Sequence, residues 1–381
     1  MVSRLVAERL EKARTRQAEI VPIDDAEDRE REAEWLRCAA DPAHFIDTHC
    51  WIEERHDASL GTTVAASEIS GEVKFRLWDA QRETLSKAAS KRYRVALKAR
   101  QLGISWLFIA RAVWRCLFRR SQLVICYSIG QDEANDLIHR ARYIYDHLPA
   151  WMQVRCPIRE GADAVSYVGW ANGSTIKARA ATKRAGRSFT ASEVILDELA
   201  FMPFAKTVYD ASMRAVEAGG ELTAISTANG QGGQFYDLWQ DAYAGLNDFL
   251  PIFLPWHARP GRDRDWYDAQ VRNSNDPAIV AQEYPGAPEE AFIASGRVRF
   301  DPRWIQGQAS NVALPNVARD AWPDRLRSLD LGLARNRLTI HELPIRGMRV
   351  GAGADCAEGI PGGNYGAAVG YDTITGRHLW T

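Results

Sequence analysis

The sequence predicts an α/β fold built on a mostly parallel central sheet, and three observations point there. From Tyr93 onward, short apolar runs alternate with segments of helical character. One run, "YRVALKA", leads into the loop "KARQLGIS" at 98–105, which is followed by a strongly apolar helical stretch. Another, "EVILDE", closes on two adjacent carboxylates, Asp197 and Glu198. In sheets of this kind ligands gather at the carboxyl ends of the strands, so chemistry is expected at these two strand ends.

The 381 residues suffice for two or three domains. Hydrophobic residues make up 46% and charged residues 25%, the balance of a globular chain with a large core and little disorder. The net charge of −1 sets up no global basic field, so contact with nucleic acid has to come from a local basic face. The six cysteines form no C-x-x-C pair, and several sit in apolar runs, as free thiols of a reducing cytosol do. His44, His49, Cys50 and His56 are close in sequence, but their spacing fits no standard zinc pattern, and they read as ordinary surface and core residues. The N-terminus has no apolar signal-peptide core. The longest apolar stretch, "SWLFIARAVWRCLF", is broken by arginines and too short for a bilayer, so no membrane role is expected.

Taken in order, Val2, Leu5, Val6 and Leu10 have helical spacing, and the charge run "DDAEDREREAE" behind them reads as a solvated helix or hinge. Residues 1–42 are thus an N-terminal charged helical segment. "EVKFRLWDAQRETLSKAA" is a short approach followed by a helix. Then come the strand "YRVALKA", a helix from Ser105 to Arg119, the strand "QLVICYSI" and a polar helix from Gln131 to about His147. "SYVGWANGSTIKARA" is a hairpin turned at Asn172-Gly173, a pair suited to the left-handed backbone of tight turns. "EVILDE" and "ELTAIST" are buried strands with a helix between them near 204–218, and "DFLPIFLPW" adds another strand. These elements form one domain over 43–296. A turn-rich extension, 297–345, precedes a further strand set at 346–381, with "MRVGAGAD", "YGAAVGYD" and the start of "TITGRHLW".

The loop at 98–105 follows a strand and opens a helix, the context of a phosphate-binding loop, where backbone N–H groups and the helix N-terminus favour an anion. Against G-x-x-x-x-G-K-[ST], Gly103 takes the second glycine and Ser105 the metal-binding hydroxyl. Lys98 stands at the first glycine and Ile104 at the lysine; a loop that curls round its ligand lets a lysine at either end meet the phosphates. Residues Lys98, Ala99, Arg100, Gln101, Leu102, Gly103, Ile104 and Ser105 are therefore the candidate nucleotide loop. Nucleoside triphosphate hydrolysis needs one carboxylate to hold Mg²⁺ with the loop hydroxyl and another group to orient water. Asp197 suits the first role and Glu198 the second. "STANG" at 226–230, again directly after an apolar strand, has the small polar residues of a switch that senses the γ-phosphate: Ser226, Thr227, Asn229 and Gly230. Upstream, Trp78 or Leu77 offers an apolar contact for a base and Gln81 a bidentate amide for adenine's edge. Arg100, Arg184 and Arg187 are candidates for stabilising transition-state charge, one of the last two in trans.

With these elements in this order, the chain from about Ala43 onward resembles the large subunit of tailed-bacteriophage terminases. "FRLWDAQRETL" is similar to that family's adenine motif, "KARQLGIS" to its deviant phosphate loop, "VILDELAF" to its Walker B strand and "STANG" to its coupling motif. "QEYPGAPEEAFIASG" resembles the segment that ends its ATPase domain. The combination is specific where each motif alone is not. The resemblance implies a RecA-like P-loop ATPase that uses ATP and Mg²⁺ to drive double-stranded DNA into a procapsid. It also implies a portal protein and a small terminase subunit as partners, a homo-oligomeric ring on the portal, and the host cytoplasm as location. It further implies an RNase H-like nuclease using Mg²⁺ or Mn²⁺, whose first hairpin "VGAGADCAEGIPGGNYGAAVGYD" resembles. Asp355 matches the first metal-binding aspartate, Asn364 stands where many relatives carry another, and the later acidic motifs would lie beyond Thr381. Endonuclease activity is accordingly expected to be incomplete here, since a two-metal site needs several carboxylates. Two alternatives accompany this reading: a helicase-like ATPase, for which the roughly 85 residues after Ser295 are too few to make a second RecA-like domain, and a non-catalytic remnant that binds DNA or a portal.

Overall fold

The computed structural model describes residues 25–53, 71–183, 189–292, 343, 348–355, 367–374 and 378–380. The chain divides into two compact units, Met1–Ala294 and Ser295–Thr381. The N-terminal spacing at Val2–Leu10, Arg184, Arg187, Asn364 and most of the 297–345 extension lie outside the described residues.

Helix α1 (Asp25–Ala40) carries the charge run as a solvated helix, with pairs such as Arg31–Asp28 and Arg37–Glu34 three residues apart. Helix α2 (Pro42–His49) opens on a proline, and Asp41 caps it by accepting from the Ala43 N–H at 2.8 Å. Strands β1 (Trp51–Glu53) and β2 (Glu72–Lys74) pair antiparallel ahead of α3 (Asp79–Ser90).

The core of the first unit is an eight-stranded sheet. Its members are β3 (Tyr93–Lys98), β4 (Leu123–Ser128), β5 (Ile158–Ala164), β6 (Tyr167–Trp170), β7 (Thr175–Ala180), β8 (Glu193–Asp197), β9 (Glu221–Ser226) and β10 (Leu250–Leu254), in the order β10-β3-β9-β8-β4-β7-β6-β5. From β10 to β7 every neighbouring pair is parallel; β6 and β5 extend that edge antiparallel. The hairpin between β6 and β7 turns at Asn172-Gly173, with Gly173 at φ +87°, where a side chain would be strained.

The parallel strands are apolar on both faces because both faces are covered. On one side Ala96, Val124, Cys126, Ile195 and Ile225 pack against α4 (Ile104–Phe118), α5 (Gln131–Asp146) and α2. On the other, Val95, Leu97, Ile125, Leu196 and Leu222 meet α7 (Ala205–Ala215) and α8 (Gly233–Tyr243); the short α6 (Ala150–Arg155) precedes β5. Each fully buried Leu, Ile or Val side chain contributes about 1.5–3 kcal/mol. This is a three-layer α/β/α arrangement, the fold class the alternation of apolar runs predicts. Three short helices close the unit: α9 (Arg264–Asn273), α10 (Pro277–Glu283) and α11 (Pro288–Ala291).

Helix α4 is buried almost throughout, and its two interior arginines are not solvated. Arg111 and Arg115, with Arg94 from β3, surround Glu193 and Glu221, which open β8 and β9. This ion cluster binds the helix that follows the phosphate loop to the amino ends of three strands.

In the second unit, β11 (Val350–Asp355), β12 (Ala367–Asp372) and β13 (His378–Trp380) form an antiparallel sheet in that order. Asp355 is the last residue of β11 and stands in register with Ala367.

Candidate active site

Strand order brings the motifs together. β9 lies between β3 and β8, with Ser226 in register with Leu97 and Ile225 with Asp197. Lys98 and Glu198, each one residue further along, therefore flank the end of β9. Lys98 Nζ donates to Glu198 Oε1 at 2.8 Å, and Ser105 Oγ donates to Asp197 Oδ1 at 2.7 Å. Glu198 adopts a left-handed backbone at φ 59° and ψ 47°, a strained conformation for a residue with a side chain. Its second oxygen, Oε2, accepts from Ser226 Oγ and from the Thr227 N–H, both at 3.2 Å. The catalytic carboxylate expected from "EVILDE" thus touches the "STANG" segment directly.

Burial raises the Asp197 carboxyl above its ordinary range, and the neighbouring Glu198 charge adds to this; Lys98 and the Ser105 hydroxyl pull the other way. Burial also acts to raise Glu198, but the Lys98 ammonium and the hydrogen bonds from Thr227 and Ser226 outweigh it and hold Glu198 below the usual carboxylate range. The pair is thus asymmetric: Glu198 stays charged, and Asp197 is the acid that gains most from a cation.

Within the loop, Ile104 is 1% exposed and belongs to the core, so the position that usually holds the lysine does not face a ligand. The N–H groups of Ala99 and Arg100 donate to Leu254 O and Glu283 O, both at 2.9 Å, which commits them to the scaffold. The N–H groups left to meet an anion run from Gln101 through Leu102 and Gly103 to Ser105, where the first turn of α4 presents N–H groups without intrahelical acceptors. Gly103 sits at φ +68°, and a Cβ there would lie 2.9 Å from Gln81 Nε2.

Gln81, the amide expected at adenine's edge, also holds the loop. It is 2% exposed, its Nε2 donates to Leu102 O at 3.0 Å and its Oε1 accepts from the Trp78 N–H at 3.1 Å. One bond at each end of the amide goes to backbone, so Gln81 braces the loop, and its second N–H and second lone pair are what it has left for a base. Trp78 is half-buried, with the Arg259 guanidinium 5.7 Å from its ring centroid. Arg100 is exposed and paired through Nε with Glu283. Farther along "STANG", Asn229 Nδ2 donates to Ala200 O at 3.1 Å, and Gly230 takes φ +79°.

Sequence reading missed the residues that hold the loop and the "STANG" segment from outside. Arg262 donates to Arg100 O at 2.9 Å and to Gln101 Oε1 at 2.8 Å, Arg259 donates to Gln101 O at 3.1 Å, and Gln282 donates to Ala228 O at 3.0 Å. Only "QEYPGAPEE", which contains Gln282 and Glu283, carried any signal. The contacts span 161 residues in the case of Arg262 and Gln101, and local pattern does not register them.

Comparison with solved structures finds low sequence identity. The ATPase domain of the large terminase from Thermus phage P74-26 is 20% identical, with a TM-score of 0.44 over 56% of this chain and 94% of that one. The large terminase of another thermophilic bacteriophage, in complex with ADP, is 12% identical, with a TM-score of 0.43 over 55% of this chain and 53% of that one. The HK97 bacteriophage large terminase is 14% identical, with a TM-score of 0.46 over 90% of this chain and 66% of that one. Residues 95–300, more than half of the chain, match the family described as terminase large subunit, T4likevirus-type, N-terminal. That span holds the phosphate loop, the paired carboxylates and the "STANG" segment, and the chain belongs to the terminase large-subunit family.

Proposed function

We propose that this chain is the ATP-hydrolysing subunit of a viral DNA-packaging motor. The observation that carries the reading is the convergence of Lys98, Ser105, Asp197 and Glu198 at the carboxyl ends of β3 and β8, with Ser226 and Thr227 of β9's end bonded to Glu198. An oxygen-only pair, buried Asp197 and half-buried Ser105, fits Mg²⁺, which favours carboxylate and hydroxyl ligands. Bound there with ATP, Mg²⁺ would neutralise charge on the β- and γ-phosphate oxygens. Lys98 supplies the loop's positive charge from its first position, and Gln101 to Ser105 supply the N–H groups. Glu198, held charged, orients the attacking water and takes its proton. Arg100 is positioned at the loop, and Arg184 or Arg187 is assigned the trans role.

Ser226 and Thr227 share Glu198 with Lys98, so a γ-phosphate that draws Lys98 away changes what Glu198 offers β9. That is a short route from hydrolysis to movement of the segment at 226–230. The substrate moved is double-stranded DNA; a portal protein, a small terminase subunit and further copies of this chain in a ring complete the assembly, on a procapsid in the host cytoplasm. The second unit is assigned to an RNase H-like nuclease with Asp355 as a ligand for Mg²⁺ or Mn²⁺. Asp355→Ala is expected to abolish any metal-dependent plasmid cleavage.

Measuring ATP turnover of the purified chain with and without Mg²⁺ tests the central reading. Expected is Mg²⁺-dependent phosphate release that Lys98→Ala and Glu198→Gln both remove. Turnover indifferent to both substitutions overturns it.

A further inference from the structure

Away from the nucleotide site, three donors from α1 and α2 close on one oxygen. Glu34 Oε1 lies 2.7 Å from His49 Nε2, 2.8 Å from His44 Nε2 and 3.5 Å from Cys38 Sγ. A carboxylate oxygen has about two lone-pair sites, so the three donors crowd it, with the Cys38 thiol the most weakly held. The ligating atoms of Glu34, Cys38 and His49 all lie within 4.8 Å of one another. Tetrahedral zinc, with bonds of about 2.0–2.3 Å, holds its ligands roughly 3.5 Å apart. Small side-chain shifts of these three open the cluster around a cation, and His44, which lies outside that set, reaches it by rotation of its partly exposed ring.

We propose that Cys38, His49 and Glu34 bind a divalent transition metal of the zinc type, with His44 as the fourth ligand. One thiolate, two imidazoles and one carboxylate suit Zn²⁺ or Co²⁺ and disfavour Mg²⁺ and Ca²⁺, which take oxygen ligands. This separates the site chemically from Asp197 and Ser105. The surroundings are those of a closed structural site. Cys38 is fully buried, and its carbonyl accepts from Trp114 Nε1 at 2.7 Å. Glu34 Oε2 is paired with Arg37 at 2.7 Å, which orients the carboxylate. His44, 34% exposed, leaves the entry path on its side. Filling the site would fasten α1 to α2 and, through Trp114, to the helix that opens at the phosphate loop. The sequence hid this set because Glu34 and Cys38 sit on one helix and His44 and His49 on the next, in no standard ligand spacing.

The test is a Co²⁺ titration of the full chain under reducing conditions, with excess Mg²⁺ to occupy oxygen-only sites. Expected is one equivalent of Co²⁺ with a thiolate-to-cobalt charge-transfer band, displaced by Zn²⁺. Cys38→Ser removes the band, His49→Gln weakens binding at least about tenfold, and Cys50→Ala changes neither. His49→Gln keeps every thiol and so tests the site even where Cys38→Ser does not fold. No band from the folded wild-type chain, or a band of unchanged affinity in His49→Gln, overturns the proposal.

Discussion

Lys98 Nζ stands 2.8 Å from Glu198 Oε1, a contact that spans 100 residues of sequence and crosses the end of the intervening strand β9. Lys98 is 6% exposed, so this is an ion pair inside a low-dielectric pocket rather than a surface contact. Removing Glu198 leaves the Lys98 charge buried without its carboxylate, whereas Glu198 without Lys98 keeps its bonds from Ser226 and Thr227 and some solvent. Such a pair persists where the groups are needed for something else, and a phosphate arriving at the loop offers Lys98 a second anion.

Lys98→Ala is therefore expected to lower ATP turnover at least about 10²-fold, the order of loss when one donor to developing negative charge is removed. Ile104→Val, at the position where the usual loop has its lysine, is expected to leave turnover near wild type. Its cost falls on stability, about 0.5–1.5 kcal/mol, because Ile104 packs in the core. Steady-state phosphate release and urea midpoints on both variants check this. Equal kinetic damage from the two substitutions would falsify the exchange of roles.

Glu198→Gln keeps the shape of the side chain and its contact with Thr227 but removes the proposed base. Hydrolysis is expected to fall by about 10²–10⁴, with ATP still bound. A fluorescent-nucleotide binding assay beside the turnover measurement separates the two effects; near-normal hydrolysis assigns the base elsewhere.

Gly103 and Gln81 should be energetically coupled. Gly103→Ala places a side chain in the left-handed region, costing about 1–2 kcal/mol, and brings its Cβ to 2.9 Å from Gln81 Nε2. Gln81→Ala removes that clash and also the brace on Leu102 O. The double variant is expected to lose less ADP affinity than the sum of the singles, by about 0.5–3 kcal/mol. Calorimetric titration of the four proteins reads the cycle, and strict additivity would show that Gln81 does not support the loop.

The fold was legible because parallel strands buried on both faces read as continuous apolar runs. The residues of "YRVALK", "LVICYS", "EVILD" and "ELTAIS" became β3, β4, β8 and β9 nearly to the residue. Lys98, Asp197 and Glu198 stood out because each ends such a run or follows it directly, and Ser105 because it opens the helix after the loop. What escaped were contacts set by tertiary packing alone. Gln81 looked like a free amide because nothing local reveals that Leu102 O lies within reach. Arg111 and Arg115 interrupt an apolar run, yet they are 5% and 4% exposed. Their partners Glu193 and Glu221 begin strands far along the chain, and a sequence window around α4 contains neither.

That ion cluster yields the last prediction. Arg94, Arg111 and Arg115 face two carboxylates, Glu193 and Glu221, so the cluster carries a surplus of positive charge even with both acids ionised. Burial alone would raise the Glu221 carboxyl, but Arg111, Arg94 and Arg115 outweigh it and bring it down to about 2. A carboxyl whose folded value lies below its unfolded value, about 4.3, stabilises the fold above the unfolded value. That contribution is lost as pH falls toward 2, where protonation of Glu221 removes its charge from among the three guanidinium groups. The amount at stake is on the order of 3 kcal/mol at neutral pH. Glu221→Gln is expected to destabilise the chain by a comparable amount at pH 7, because it leaves the same cations underpaired. It should also flatten the decline in stability between about pH 4.5 and pH 3, since the group that titrates there is gone. Urea midpoints for wild type and variant across that range measure both effects. A variant as stable as wild type at pH 7, with the same acid slope, would mean that the cluster neither holds α4 to the sheet nor contributes to the acid sensitivity of the fold.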